Sequence, residues 1–184
     1  MTPQSPELER RGTLEIRTDG TRITGHAIVF DSRSADLGGF IEIIRPQAVD
    51  RSMGGDVVAL YNHDAAQLLG RTPKTLQLRK DDRGLAFSLE PAPTQAGREA
   101  LELVRRGDLT GASFGFKTVK DVWSTDGGVS IRELLDIELV EISLTAFPAY
   151  RQTDVAVAQR ALQAYHRAQG SRIDWLRRQH RVRL

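Results

Sequence analysis

The sequence predicts a mainly β fold with some helix (α+β), most simply a small closed β-barrel of about seven strands with flanking helices. Three observations predict it. Short alternating or β-branched runs recur between residues 13 and 147, separated by turns rich in Gly, Asp and Pro. A single internal stretch, 94–106, switches to helical period. The last strand-like run, 136–147, is apolar on both faces, as a strand buried on both sides must be.

In chain order, TLEIRT (13–18) and RITGHAIVF (22–30) read as two strands around the Asp19-Gly20 turn. Residues 31–39 are acidic and glycine-containing, hence a loop, and FIEIIR (40–45) is a third strand stopped by Pro46. DVVALYN (56–62) is a short β-branched run that delivers His63 at its end. TLQLRK (75–80) and GLAFSLE (84–90) alternate apolar and polar residues about an Asp-Asp-Arg-Gly turn, and Pro91 and Pro93 close that hairpin. From 94 to 106, Ala96, Ala100, Leu101 and Val104 share one helical face, with Gly107 placed as the C′ residue. ASFGFKTVK (112–120), VSIREL (129–134) and DIELVEISLTAF (136–147) complete the strands, and Pro148 ends the last. A helix is expected from about Val155, interrupted at Gly170.

The domain reading follows: a disordered polar arm over 1–11, the β-barrel over 12–154, and a basic helical tail over 155–184. From Arg151 onward there are eight arginines against Asp154 and Asp174, a net +6, so the first 150 residues carry −4 of the overall +2. With 184 residues the chain suits one sizeable core. No apolar run approaches the ~20 residues of a membrane span, and the N-terminus lacks the apolar stretch of a secretory signal. Without cysteine there is no disulfide framework, thiolate zinc site or cysteine nucleophile. Four scattered histidines argue against a multi-histidine metal site, so no cofactor is expected.

Three residues could carry chemistry. Ser113 lies in GASFGF (111–116), which matches G-x-S-x-G literally but with helix before and strand after, the reverse of a hydrolase elbow. Its bland reading is a glycine-relieved bend in a barrel strand. His63, in YNHD (61–64) at the end of an apolar strand, is of the residue type best suited to a general base; its bland reading is an Asn-His-Asp turn. His26 lies inside a strand without an evident partner, while His166 and His180 sit among tail arginines as solvated surface. Glu141, in LVEISL (139–144), shares a strand face with Ile137, Leu139 and Ser143 by alternation. A carboxylate there needs a specific partner: a histidine to orient, or an arginine such as Arg132.

Together and in this order, GHAIVF (25–30), ALYNHD (59–64) with LLGR (68–71), GLAFSLEP (84–91), RRGDLTGASFGF (105–116) and LVEISLTAFPAY (139–150) resemble the prohead, or capsid-maturation, serine proteases of tailed phages. These are distantly similar to the herpesvirus assemblins. The resemblance covers residues 12–155 and departs from the family at RPQAVDRSM (45–53), where a proline-glycine pair is usual. It implies a herpesvirus-protease-like barrel, Ser113 as nucleophile, His63 as base and Glu141 as third member. It also implies cleavage of the major capsid protein precursor at its scaffolding segment, and of the protease itself, inside an immature shell in the host cytoplasm. A homodimer is compatible with it, and neither membrane nor nucleic acid is an expected partner. The oxyanion donors would be backbone N–H groups or an arginine. A non-enzymatic assembly or scaffolding protein on the same fold is the rival reading.

Overall fold

The computed structural model describes residues 7–13, 16–147 and 159–172. In chain order the elements are β1 (Leu8–Thr13), β2 (Ile16–Asp19), β3 (Arg22–Val29), β4 (Phe40–Ile44), a 3₁₀ helix (Pro46–Gly54), β5 (Val58–Tyr61), β6 (Asp64–Arg71), β7 (Leu76–Lys80), β8 (Gly84–Leu89), α1 (Gln95–Arg106), β9 (Gly111–Asp126) and β10 (Val129–Thr145). A second helix, α2, covers 159–172.

These strands form two sheets. One has six strands in the order β1-β9-β10-β5-β6, with β4 also on β10; the other has four, in the order β2-β3-β8-β7. Both contribute to one hydrophobic core, in which Phe114, Phe116, Ile142 and Leu144 meet Ile23, Ile28, Leu85, Phe87 and Leu89. Ala100 and Val104 of α1 join the same core. A closed barrel is not found: among the described residues no ladder joins the two sheets. The described residues of the run 13–18 read as one strand, Thr13 and residues 16–18, lie in different sheets. Thr13 ends β1 on β9 and Ile16 begins β2 on β3. Two bonds pin this corner, Thr13 Oγ1 to the His26 carbonyl (2.6 Å) and the Ile16 amide to the Thr110 carbonyl (3.3 Å).

The disorder expected over 1–11 does not hold from Leu8 onward, because Leu8–Thr13 pair with β9 along their whole length. Side chains on the inner face of β1 explain the order. Glu9 and Arg11 enter a buried network with Glu42, Arg132, Asp121 and Thr118, in which Arg132 bonds Glu9 (2.7 Å), Asp121 (2.7 Å) and Glu42 (3.2 Å). Arg11 pairs with Glu42 at 2.8 Å. Arg132 thus belongs to this network and not to Glu141. Burial alone would raise the Glu9 pKa, but the hydrogen bond and charge of Arg132, with Thr118 and Arg11, hold it below the ordinary value.

β10 is one strand of 17 residues where two, 129–134 and 136–147, were expected, because Leu135 is absorbed in a register shift instead of a turn. One side of β10 follows β9 antiparallel throughout. Its other side takes β4 in parallel over Ser130–Leu134, then β5 in parallel over Glu141–Leu144. In the gap between them, Ser52 of the 3₁₀ helix substitutes for a strand: its Oγ accepts from the Leu139 amide (2.9 Å) and donates to the Ile137 carbonyl (3.1 Å). The segment 45–53 is thus a built brace.

α1 starts and stops as its sequence dictates. Thr94 Oγ1 accepts from the Gly97 amide, and Gly107 takes φ 81° with its amide on the Leu103 and Val104 carbonyls. α2 is no detached appendage. Leu162 is buried, and Tyr165 stacks on Trp123 (5.5 Å), which packs against Phe40 (5.2 Å). Arg160 also pairs with Glu7, Tyr165 Oη lies 3.3 Å from Thr125 Oγ1, and His166 Nε2 lies 3.2 Å from Ser130 Oγ. The helix continues through Gly170, against expectation, its docked face being formed well before that residue. Most of the expected tail, including His180 and the arginines from 177 onward, lies outside the described residues.

Candidate active site

Two adjacent cross-strand rows on the outer face of the six-stranded sheet carry the site. Directly opposed residues in a ladder share a face. The first row runs Gly12 (β1), Ser113 (β9), Ser143 (β10), Leu60 (β5). The second runs Arg10, Gly115, Glu141, Val58 on the same strands. Glu141 reaches this face only because the ladder slips between Leu139 and Glu141. Ile137 and Leu139 oppose Thr118 and Phe116 and belong to the core. The regular alternation expected for Glu141 is thereby corrected: the bulge at Val140 turns the carboxylate away from the core and beside Ser143.

His63 comes from the β5–β6 connection. Tyr61 and Asp64 pair across a two-residue turn in which both Asn62 (φ 51°) and His63 (φ 62°) are left-handed. Two-residue hairpins favour this geometry, usually with Asn-Gly. A histidine in place of the glycine is a strained choice, costing on the order of 1 kcal/mol, of the kind that marks functional positions. The turn brings His63 Nδ1 to 2.7 Å from Glu141 Oε1. Arg10 Nε donates to the same oxygen at 2.8 Å, and Ser143 Oγ lies 3.5 Å from Oε2. Glu141 is 4 % exposed at its side chain, against 18 % for His63. Burial works against the Glu141 anion, yet the bonds from His63 and Arg10 outweigh it and hold the pKa below the ordinary range.

Gly115 makes this possible. A Cβ there would lie 2.6 Å from Glu141 Cγ and 2.8 Å from Oε1, so only glycine lets the carboxylate lie across β9. Half of the G-x-S-x-G signature is therefore a slot for the acid, not a nucleophile elbow. Ser113 itself is buried, and its hydroxyl donates to the Arg11 carbonyl at 2.8 Å. Among the described residues the structure thus joins His63 to Glu141 by a direct bond, and sets Ser113 one row away on the same face with its proton directed to β1.

Other ionisable side chains pair elsewhere. His26 pairs with Asp81 (3.1 Å) in the four-stranded sheet, so it does have a partner. Glu138 lies 3.4 Å from Lys117, and Asp136 bonds Arg51. A surface concavity lined by Arg17, His26, Gln77, Arg79 and Ser88 shares no residue with the Ser113 face. Sequence reading missed Arg10, hidden in what looked like a polar arm, and undervalued Asn62-His63, whose replacement of Asn-Gly was a legible signal. No helix among the described residues is long and apolar enough to cross a membrane.

A histidine tautomer fixed by a buried carboxylate, with a serine on the same sheet face, is the set of parts that acyl transfer by serine requires. The chain belongs to the caudovirus prohead serine protease family, whose model matches residues 7–168. That match includes β1, of which only Gly12 and Thr13 fall within the 12–155 resemblance, and most of α2, which lies beyond it. Among solved structures, the bacteriophage T4 capsid assembly protease, gp21, is similar in fold, with a TM-score of 0.50 at 9% identity over 77% of this chain and 100% of that one. No curated protein sequence matches the chain.

Proposed function

We propose that this protein is a serine endopeptidase of phage capsid maturation, with Ser113 as nucleophile, His63 as general base and Glu141 as the acid that orients it. The observation that carries the reading is the His63 Nδ1–Glu141 Oε1 bond of 2.7 Å in a chain of this family. A carboxylate accepting from Nδ1–H leaves the Nε2 lone pair to take a proton. The Ser113 hydroxyl turns from the Arg11 carbonyl toward Nε2 and gives up its proton there, while Oγ bonds to the peptide carbonyl carbon. His63 then protonates the departing amine nitrogen as the C–N bond breaks. Water, deprotonated in turn by His63, hydrolyses the acyl-enzyme and restores Ser113.

The substrates are the major capsid protein precursor, cut at its scaffolding segment, and the protease itself, inside the immature shell in the host cytoplasm. Family membership and the likeness to a capsid assembly protease support this assignment. Purified wild-type and Ser113→Ala protein, each incubated with its capsid precursor and followed by mass spectrometry, test it. Cleavage by the wild type alone is expected. Equal cleavage by both, or equal particle assembly without any cleavage, would favour the scaffolding reading.

A further inference from the structure

We infer that Arg10 is a positioning residue of the catalytic acid, so that the N-terminal strand β1 is part of the active site and not a leader to it. The inference rests on the proposed Ser113–His63–Glu141 assignment and extends it to a residue that lies 131 positions from Glu141 in sequence.

The geometry is a bridge over a missing side chain. Arg10, Gly115 and Glu141 occupy one cross-strand row on three neighbouring strands. Strands lie ~4.8 Å apart, so Arg10 and Glu141 are separated by roughly 10 Å of backbone. A side chain on the middle strand would keep them apart. Glycine there lets the guanidinium and the carboxylate meet above β9, with Nε 2.8 Å from Oε1.

The contact also fixes the carboxylate in a specific way. Oε1 accepts from both Arg10 and His63, and Ser143 faces Oε2 from the same strand, so rotation of the carboxylate would break contacts at both oxygens. The carboxylate is thus held for His63 before any substrate arrives, as a preorganised acid must be. The bond from Arg10 goes to Glu141, so its action runs through the carboxylate. Alternation along β1 separates this task from folding. Glu9 and Arg11, on either side, point into the buried network, whereas Arg10 is 31 % exposed at its side chain and faces the site.

The test uses the full chain and a biotinylated fluorophosphonate as the probe, which labels an activated serine without needing the natural substrate. Wild type, Arg10→Gln, Arg10→Lys, Glu141→Gln, Arg10→Gln/Glu141→Gln and Ser113→Ala are compared well below their melting temperatures. Arg10→Gln is expected to lower the maximal labelling rate by roughly 10- to 100-fold, with the half-saturating probe concentration within about twofold, as for a misplaced catalytic group. Arg10→Lys, which keeps the charge, recovers part of the loss. In the Glu141→Gln background the Arg10→Gln change has little further effect, because the residue through which it acts is already impaired. Wild-type labelling by Arg10→Gln overturns the inference, and so does an equal loss from Arg10→Gln in both backgrounds. Labelling of Ser113→Ala at the wild-type rate would instead overturn the nucleophile assignment, a result distinct from either.

Discussion

Two clusters of buried charge sit on opposite faces of the same sheet, and β1 feeds both. On the inner face, Glu9, Glu42, Arg11, Arg132 and Asp121 bond one another so fully that Arg132, Glu9 and Glu42 are each 3 % exposed or less at their side chains. On the outer face, Glu141 is as deeply buried, but its partners His63 and Arg10 are partly open, and His63 presents a second ring nitrogen beyond the Glu141 bond. The difference separates structure from chemistry. A network with every donor and acceptor matched anchors strands, whereas one that ends in a partly exposed histidine has the form that the proposed proton transfer requires.

The largest effect that sharpens this contrast belongs to Ser113→Ala. It should abolish self-cleavage and precursor cleavage, by ~10⁴- to 10⁶-fold, with an unchanged melting temperature. Retention of a tenth of wild-type activity would break the outer-face assignment. Glu141→Gln comes next: kcat should fall by ~10³- to 10⁴-fold, far more than the melting temperature suggests, since the wrong His63 tautomer is then favoured. Calorimetry paired with a peptidase assay reads both quantities.

The inner face should respond in the opposite sense. Arg132→Leu leaves Glu9 without its main cation and Glu42 dependent on Arg11, and should cost about 3–5 kcal/mol, roughly 10 °C in melting temperature. The remaining folded fraction should keep its serine-labelling rate. Acid should probe both faces. Glu9 and Glu141 have depressed folded pKa values, so the stability they contribute is complete above pH ~4.3, the ordinary glutamate value, and is lost as pH falls through those lower values. Melting temperatures measured from pH 6 down to pH 3 should fall over that window, and a flat profile would contradict the pairing.

Two smaller effects complete the series. Gly115→Ala should displace Glu141 and lower kcat by ~10²-fold, because the added methyl meets Glu141 Cγ at 2.6 Å. A crystal structure of that variant with the His63–Glu141 bond intact would refute the slot. Leu162→Ala should lower stability by about 2 kcal/mol with little change in activity, because it opens the small cluster of Phe40, Trp123 and Tyr165. A silent Leu162→Ala would return α2 to the role of appendage. On the present geometry, a chain ending near residue 158 is destabilised as well as shortened.

What the sequence determined by itself was local. Alternating runs and turn residues placed most strands, and Thr94 and Gly107 bounded α1, because capping and pleat periodicity act between residues close in the chain. Three chemically apt residues, Ser113, His63 and Glu141, stood out by type and motif. Tertiary structure decided which of these face one another. A one-residue slip at Val140 moved Glu141 from the core face to the site, and no property of LVEIS announces it, since the slip is set by the pairing of β10 with β9. The order of residues 8–11 was equally invisible. Leu8-Glu-Arg-Arg is polar enough to read as a free arm, yet it is held by pairing with β9 and by Glu42, Arg132 and Glu141, which lie tens of residues or more away. Charge that looks solvated in sequence becomes structure when its partners arrive from distant strands, since only the assembled sheet can repay the desolvation of a buried ion.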